Sequence, residues 1–112
     1  MRLTTDMLEP VTWTPKPADL VVLSESLNAA CPGIESVQSW EFTAAPHIHE
    51  DCVMIVARVK VLGFDDLLAK GAGVDVRMAR NHKDREQAMR SAGWKIGELC
   101  AMAIANRRGL QA

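Results

Sequence analysis

The run CVMIVARVKVL, from Cys52 to Leu62, constrains the fold of this chain more than any other stretch. It is rich in β-branched residues, contains no proline and stops at Gly63, which favours a strand over a helix. Because side chains alternate across a strand, one face of the run carries only apolar residues. The other face begins apolar and then carries Arg58 and Lys60. The pattern predicts a central strand with one covered face and one face that partly meets water.

Helical spacing of apolar residues predicts a helix over about 15–30. Pro15 and Pro17 suit its first turn, where helical N–H groups have no partner, and Cys31-Pro32-Gly33 ends it. A second helix is predicted over 83–107 by the same reasoning. The inward stripe of this last helix is Met89, Gly93, Ile96, Cys100 and Ala103.

Further strands are predicted on both sides of the central one. Residues 34–43 alternate, but Val37 is out of phase with Trp40, which indicates a β-bulge near Gln38 and Ser39. Residues 74–80 alternate again, and the prolines around 10–15 indicate a short extended piece. We expect residues 64–70 to form a short helix that ends at Gly71.

The order of these elements predicts one α+β domain over residues 1–112. We expect a mostly antiparallel sheet with the helices packed on one face, because two strands follow each other without regular βαβ alternation. With residues 10–15 as a first strand, the order βαββαβ followed by a helix suits a ferredoxin-like fold.

The cysteines and the hydropathy of the chain indicate its cellular compartment. The three cysteines are odd in number and widely spaced, which argues against a disulfide framework and for a reducing compartment. We find no signal peptide and no apolar run long enough for a membrane span. The expectation is therefore a cytoplasmic protein that does not enter the membrane.

One loop carries residue types that bind metals. In an extended segment His47, His49 and Asp51 would share a side, and imidazoles with a carboxylate can hold zinc or iron. The other histidine, His82, lies in a separate loop, so further ligands would have to come from elsewhere. We expect no metal or other cofactor here, and we keep a small enzyme or metal-binding protein built on this loop as an alternative.

The charges are distributed unevenly along the chain. Residues 1–56 hold two basic and eight acidic side chains, and residues 57–112 hold eleven basic and six acidic ones. The densest basic patch would combine Arg77, Arg80, Lys83, Arg85 and Arg90. Such a patch suits nucleic-acid phosphates. We do not favour nucleic acid, because the predicted open sheet face offers no aromatic ring for stacking on bases.

The last helix is apolar almost all the way round between Leu99 and Ala105. A helix that covers a domain should keep one polar face, so the excess of apolar residues on this helix indicates an interface. The alternative is that loops or the N-terminal arm, with Trp13, cover this surface. The predicted interface residues are Trp94, Ala101, Met102, Ala105 and Met54.

The sequence contains no recognisable catalytic motif. Cys100 lies on the inward face of a helix, which is typical of an inert packed thiol. Enzymatic activity is left open and is not favoured. We expect a small non-catalytic module that binds another protein, and inhibits or scaffolds it, while forming a homodimer. Accessory proteins of phages and mobile elements are a class in which compact chains of this size are common.

Overall fold

The computed structural model describes residues 15–44, 52–75 and 82–111. Its elements in chain order are helix α1 (Pro17–Ala30), strands β1 (Ile34–Ala44), β2 (Cys52–Val61) and β3 (Leu68–Asp75), and helix α2 (His82–Gln111). The strands form an antiparallel sheet in the order β1-β2-β3. Both helices contribute to one core with the same sheet face. The α+β class and the antiparallel sheet are therefore confirmed.

Strand β2 is the central strand, as its sequence predicts. Its covered face is almost completely removed from solvent, and no side chain on it is more than 2% exposed. The helices cover these side chains with Leu23 and Leu27 from α1 and with Met89 and Ile96 from α2. The covered face of β2 consists of Val53, Ile55, Ala57, Val59 and Val61.

The predicted β-bulge in β1 is confirmed. The register between β1 and β2 shifts between Val37 and Ser39. Val37 lies opposite Val59 and Trp40 lies opposite Ala57, so both point to the covered face although they are three residues apart. The bulge adds the residue that brings these two apolar side chains onto one face.

The prediction for the region after β2 is wrong. Residues 65–66 form a bend and β3 begins at Leu68, so no helix occupies 64–70. The predicted strand over 74–80 overlaps β3 only at Val74 and Asp75, and residues 76–80 lie outside the described ranges. The sequence LAKGAGVD has little β-branched content, and its strand is held by pairing with β2 along its whole length.

The ferredoxin-like order is not confirmed. The described elements run αβββα, and the predicted first strand over 10–15 lies outside the described residues except for Pro15. Helix α2 is longer than the predicted 83–107 and reaches Gln111. Among the helices in the described ranges, none combines the length and apolarity needed to cross a bilayer.

Helices α1 and α2 pack closely because α2 has glycines where they meet. A Cβ atom on Gly93 would lie 2.5 Å from the backbone oxygen of Leu23, and one on Gly97 would lie 2.6 Å from the Cβ atom of Ala30. These distances are shorter than van der Waals contact, so only glycine fits. The close approach that the Gly93–Gly97 spacing permits is therefore made by α1 of the same chain.

Candidate functional site

A groove lies beside β3. Strand β3 pairs with β2 on one side and with no other strand of the described part of the chain. The groove along its outer edge has a volume of about 580 Å³. We call this feature the β3 groove. It is lined by Met54, the stretch 71–75 of β3, and Ala88, Ser91, Ala92 and Lys95 of α2.

The β3 groove passes around the edge of the sheet. Met54 lies opposite Gly73 on the open face, whereas Ile55 and Ala72 form a pair on the covered face. The α2 residues that line the groove approach β3 from the covered face. A groove that touches both sides must run along the outer edge of β3, where the backbone has no strand neighbour in the residues described.

Small side chains create the space at this edge. Gly71, Ala72 and Gly73 of β3 lie near Ala88 and Ala92 of α2, so the helix approaches the strand closely without filling the edge. A Cβ atom on Gly71 would lie 2.8 Å from the backbone oxygen of Ile55 and 3.3 Å from the sulfur of Met54. Glycine at 71 therefore lets the Met54 side chain lie across the strand on the open face.

The outward surface of α2 is a second feature, and we define it by Trp94, Lys95, Glu98, Met102 and Ala105. Trp94 is 48% exposed and Met102 is 62% exposed, although both are large and apolar. Lys95, Glu98 and Ala105 are also exposed. Neither Lys95 nor Glu98 forms an ion pair with any residue of the described ranges. Lys95 lies at the border between this surface and the β3 groove.

The five predicted interface residues do not form one surface. Trp94, Met102 and Ala105 lie on the outward surface of α2, whereas Ala101 is half-buried and packs against the core. Met54 is half-buried on the open sheet face, where it lines the β3 groove. Sequence reasoning missed the groove because it placed a helix over the first residues of β3 and began the next strand only at Val74. The run of small residues Gly71-Ala72-Gly73 is the sequence signal that could have indicated an open strand edge.

Two residues of the predicted basic patch form ion pairs within the chain. Arg85 binds Asp19, with Nη2 at 2.6 Å from Oδ2, and Arg90 binds Glu86 at 3.1 Å. Lys83 is exposed, and Arg77 and Arg80 lie outside the described residues. Fewer cations of the patch are therefore available to bind phosphates than the sequence alone predicts.

Asp19 is a buried carboxylate, with only 6% of the residue exposed. Burial by itself raises the pKa of Asp19, but hydrogen bonds from Arg85 and from the Lys16 backbone outweigh burial and hold the pKa below its ordinary value. Asp19 accepts the Lys16 N–H at 2.7 Å, which also caps the start of α1.

The thiols and the metal-type ligands form no reactive cluster in the described ranges. Cys31 and Cys100 are buried free thiols. Burial and the neighbouring Cys31 raise the pKa of Cys100 to about 11. Within residues 15–44, 52–75 and 82–111, no group of three or more His, Cys, Asp or Glu side chains is arranged to hold a metal ion. The predicted loop with His47, His49 and Asp51 lies outside those ranges.

No family model matches this chain, and no curated protein and no solved structure matches it either. The β3 groove and the outward surface of α2 are the features of the described residues that bear on function.

Proposed function

We propose that this chain is a protein-interaction domain that binds an extended segment of another protein as an added strand beside β3. The observation that carries the proposal is the outer edge of β3, which opens into a groove and lacks a strand neighbour in the described structure. An unpaired edge presents N–H and C=O groups to any extended chain. Strand addition to such an edge is a recurrent way of binding peptides.

The groove also suggests which side chains the bound segment carries. Alternate residues of an added strand point to opposite sheet faces. On the covered side they would meet Ala88 and Ala92, and on the open side they would meet Met54 and Gly73. These four residues are apolar and three of them are small, whereas Ser91 and Lys95 add polar atoms on the α2 side of the groove. The segment should therefore carry apolar side chains of moderate size on both of its faces over a few residues.

The position of α2 argues against a second β3 as the occupant. The backbone of helix α2 runs closer to β3 than to β2. Two β3 strands paired antiparallel at about 4.8 Å would carry both α2 helices on the same sheet face with little room between them, whereas packed helices need about 8–10 Å between axes. A single extended segment brings no helix, so it avoids this clash.

We propose that binding, without catalysis, is the role of the domain, whether the partner is inhibited or scaffolded. We also propose that it acts in the cytoplasm. The buried free thiols Cys31 and Cys100 support a reducing compartment, where such thiols persist.

The test is selection of displayed random peptides of about ten residues on the full chain. We expect enriched peptides with a short apolar core, and we expect them to slow amide hydrogen exchange in β3. The variant Gly73→Val fills the open side of the groove and should weaken binding about tenfold. Ala69→Val adds the same side chain to the same strand face outside the groove, so it should leave binding unchanged.

Two outcomes overturn this proposal. One is an enriched peptide whose affinity is equally insensitive to Gly73→Val and Ala69→Val. The other is the absence of any enriched peptide together with slow exchange of the β3 amides in the unliganded chain. The second result would indicate that a segment of the same chain outside the described ranges, such as residues 1–14, covers the edge.

A further inference from the structure

We infer that the extended segment bound in the β3 groove carries an acidic side chain, which pairs with Lys70 and Lys95 at the end of the groove beside Gly71. The inference rests on the proposed strand addition. It goes further because it names the charge of the segment and the place of that charge. Two lysines that meet no acidic partner in the described part of the chain carry the argument.

The direction of α2 fixes the end of the groove at which Lys95 lies. Arg107, near the end of α2, donates hydrogen bonds to the carboxylate of Asp66, just before β3, at 2.7 and 3.2 Å. Helix α2 therefore runs antiparallel to β3, so that residues later in α2 lie beside residues earlier in β3. Lys95 comes last among the α2 residues that line the groove, which places it at the Gly71 end. Asp75 lies at the opposite end, so the two ends differ in charge.

Lys70 lies at the same end as Lys95. It directly precedes Gly71 and lies opposite Ala57 of β2, so its side chain leaves β3 on the covered face, where α2 packs. Lys70 is half-buried, and neither lysine forms an ion pair with a described residue. An inward-pointing charge on an edge strand opposes the addition of another strand. A carboxylate on the added strand removes this obstacle, because it pairs with the charge that the segment would otherwise cover.

The geometry of an added strand predicts which of its residues is acidic. Alternate residues of the segment point towards α2. Further along the groove these residues meet Ala88 and Ala92, and at the Gly71 end they meet the two lysines. The acidic residue should therefore be separated by an even number of positions from the apolar residues that face α2. It should also lie at the same end of the apolar core in every segment that binds.

Selection of displayed peptides on three forms of the full chain tests the inference. The forms are wild type, Lys95→Glu and the control Lys83→Glu, which changes another exposed lysine of α2 that lies outside the groove lining. The peptides are joined to the display protein by their C-termini, so a selected carboxylate belongs to a side chain. We expect wild type and Lys83→Glu to enrich aspartate or glutamate at one end of the apolar core, and we expect Lys95→Glu to lose this preference.

Fluorescence anisotropy with a synthetic copy of the most enriched peptide measures the contribution of the charge. Replacement of its acidic residue by the matching amide should weaken binding to wild type about threefold, and Lys95→Glu should weaken binding of the acidic peptide about tenfold. The amide peptide should bind wild type and Lys95→Glu within about twofold of each other, because the interaction is then absent from both. Circular dichroism confirms that each variant is folded.

The outcomes separate this inference from the proposed function. Enriched peptides that are sensitive to Gly73→Val but carry no acidic residue would overturn the inference and leave strand addition intact. Equal weakening of the acidic peptide by Lys95→Glu and Lys83→Glu would do the same, because the preference would then reflect the overall charge of the chain. The absence of any peptide sensitive to Gly73→Val would overturn the proposed function and this inference together.

Discussion

Arg85 donates hydrogen bonds to both carboxylate oxygens of Asp19, from Nε at 2.9 and 3.0 Å and from Nη2 at 2.6 Å. The two residues are 66 positions apart in the chain and join the first turn of α1 to the first turns of α2. Because Asp19 is buried and Arg85 is half-buried, this pair is screened less than an ion pair at the surface.

Removal of the Asp19 charge should destabilise the domain. Asp19→Asn leaves the Arg85 guanidinium without its carboxylate in a poorly hydrated position, so we expect the free energy of unfolding to fall by about 3 kcal/mol. Urea denaturation measures this change. Glu86→Gln breaks the exposed pair with Arg90 and serves as the control, with an expected loss below about 0.5 kcal/mol. Equal losses in the two variants would contradict the assignment.

The contribution of Asp19 should depend on pH. Its pKa is lowered in the folded chain, so its stabilising effect is fully present above the ordinary aspartate pKa of about 4. The effect is lost progressively as the pH falls below about 4 toward the lowered pKa, because protonation then removes the charge. The difference in unfolding free energy between wild type and Asp19→Asn should shrink over this range. A difference that is constant or grows as the pH falls would refute this account.

Alanine substitutions at two glycines of α2, Gly93 and Gly109, should change the stability of the domain in opposite directions. Gly93→Ala places a methyl group 2.5 Å from the Leu23 backbone oxygen, so the helices must separate and we expect a loss of about 2 kcal/mol. At Gly109, near the end of α2, nothing lies within 4 Å of a new Cβ atom. Gly109→Ala should therefore stabilise the helix by about 0.5–1 kcal/mol. Thermal unfolding compares them, and a stabilising Gly93→Ala would rule out the close packing.

Cys100 should be chemically inert in the folded chain. With a pKa of about 11 it contains very little thiolate near neutral pH, and it is also completely buried. We expect iodoacetamide at about pH 8 to leave Cys100 unmodified in the native protein and to modify it in denaturant. Mass spectrometry of the peptide that contains Cys100 gives the readout. Rapid labelling of the native chain would show that α2 opens or that the thiol is accessible.

The parts of the fold that sequence predicted well are those in which one segment carries its own pattern. The alternation of β2 identified its covered face, and the phase shift between Val37 and Trp40 identified the bulge in β1. The apolar stripe of the last helix placed Met89 and Ile96 in the core, and the helical spacing of apolar residues located α1. In each case the periodicity of hydrophobic residues reflects the geometry of a single element.

The candidate site was predicted only in part. Trp94 and Met102 were recognised because they interrupt the polar side of one helix. The β3 groove was not, because a strand of glycine and alanine has weak intrinsic propensity and is held by its neighbour β2. The pairing of Asp19 with Arg85 was also missed, because Arg85 was assigned to the predicted basic patch and its partner lies 66 positions away in the chain.

By itself the sequence determined which segments are amphipathic, and hence the α+β class, the central strand and the residues that form the core. Only the tertiary structure decided that the Gly93–Gly97 spacing serves α1, that Met54 and Met102 lie on different surfaces, and that the outer edge of β3 borders a groove. The physical reason is that hydrophobic periodicity is a local property of the chain. Close approach, ion pairing and an open edge depend on residues that are distant in sequence and meet only when the chain is folded.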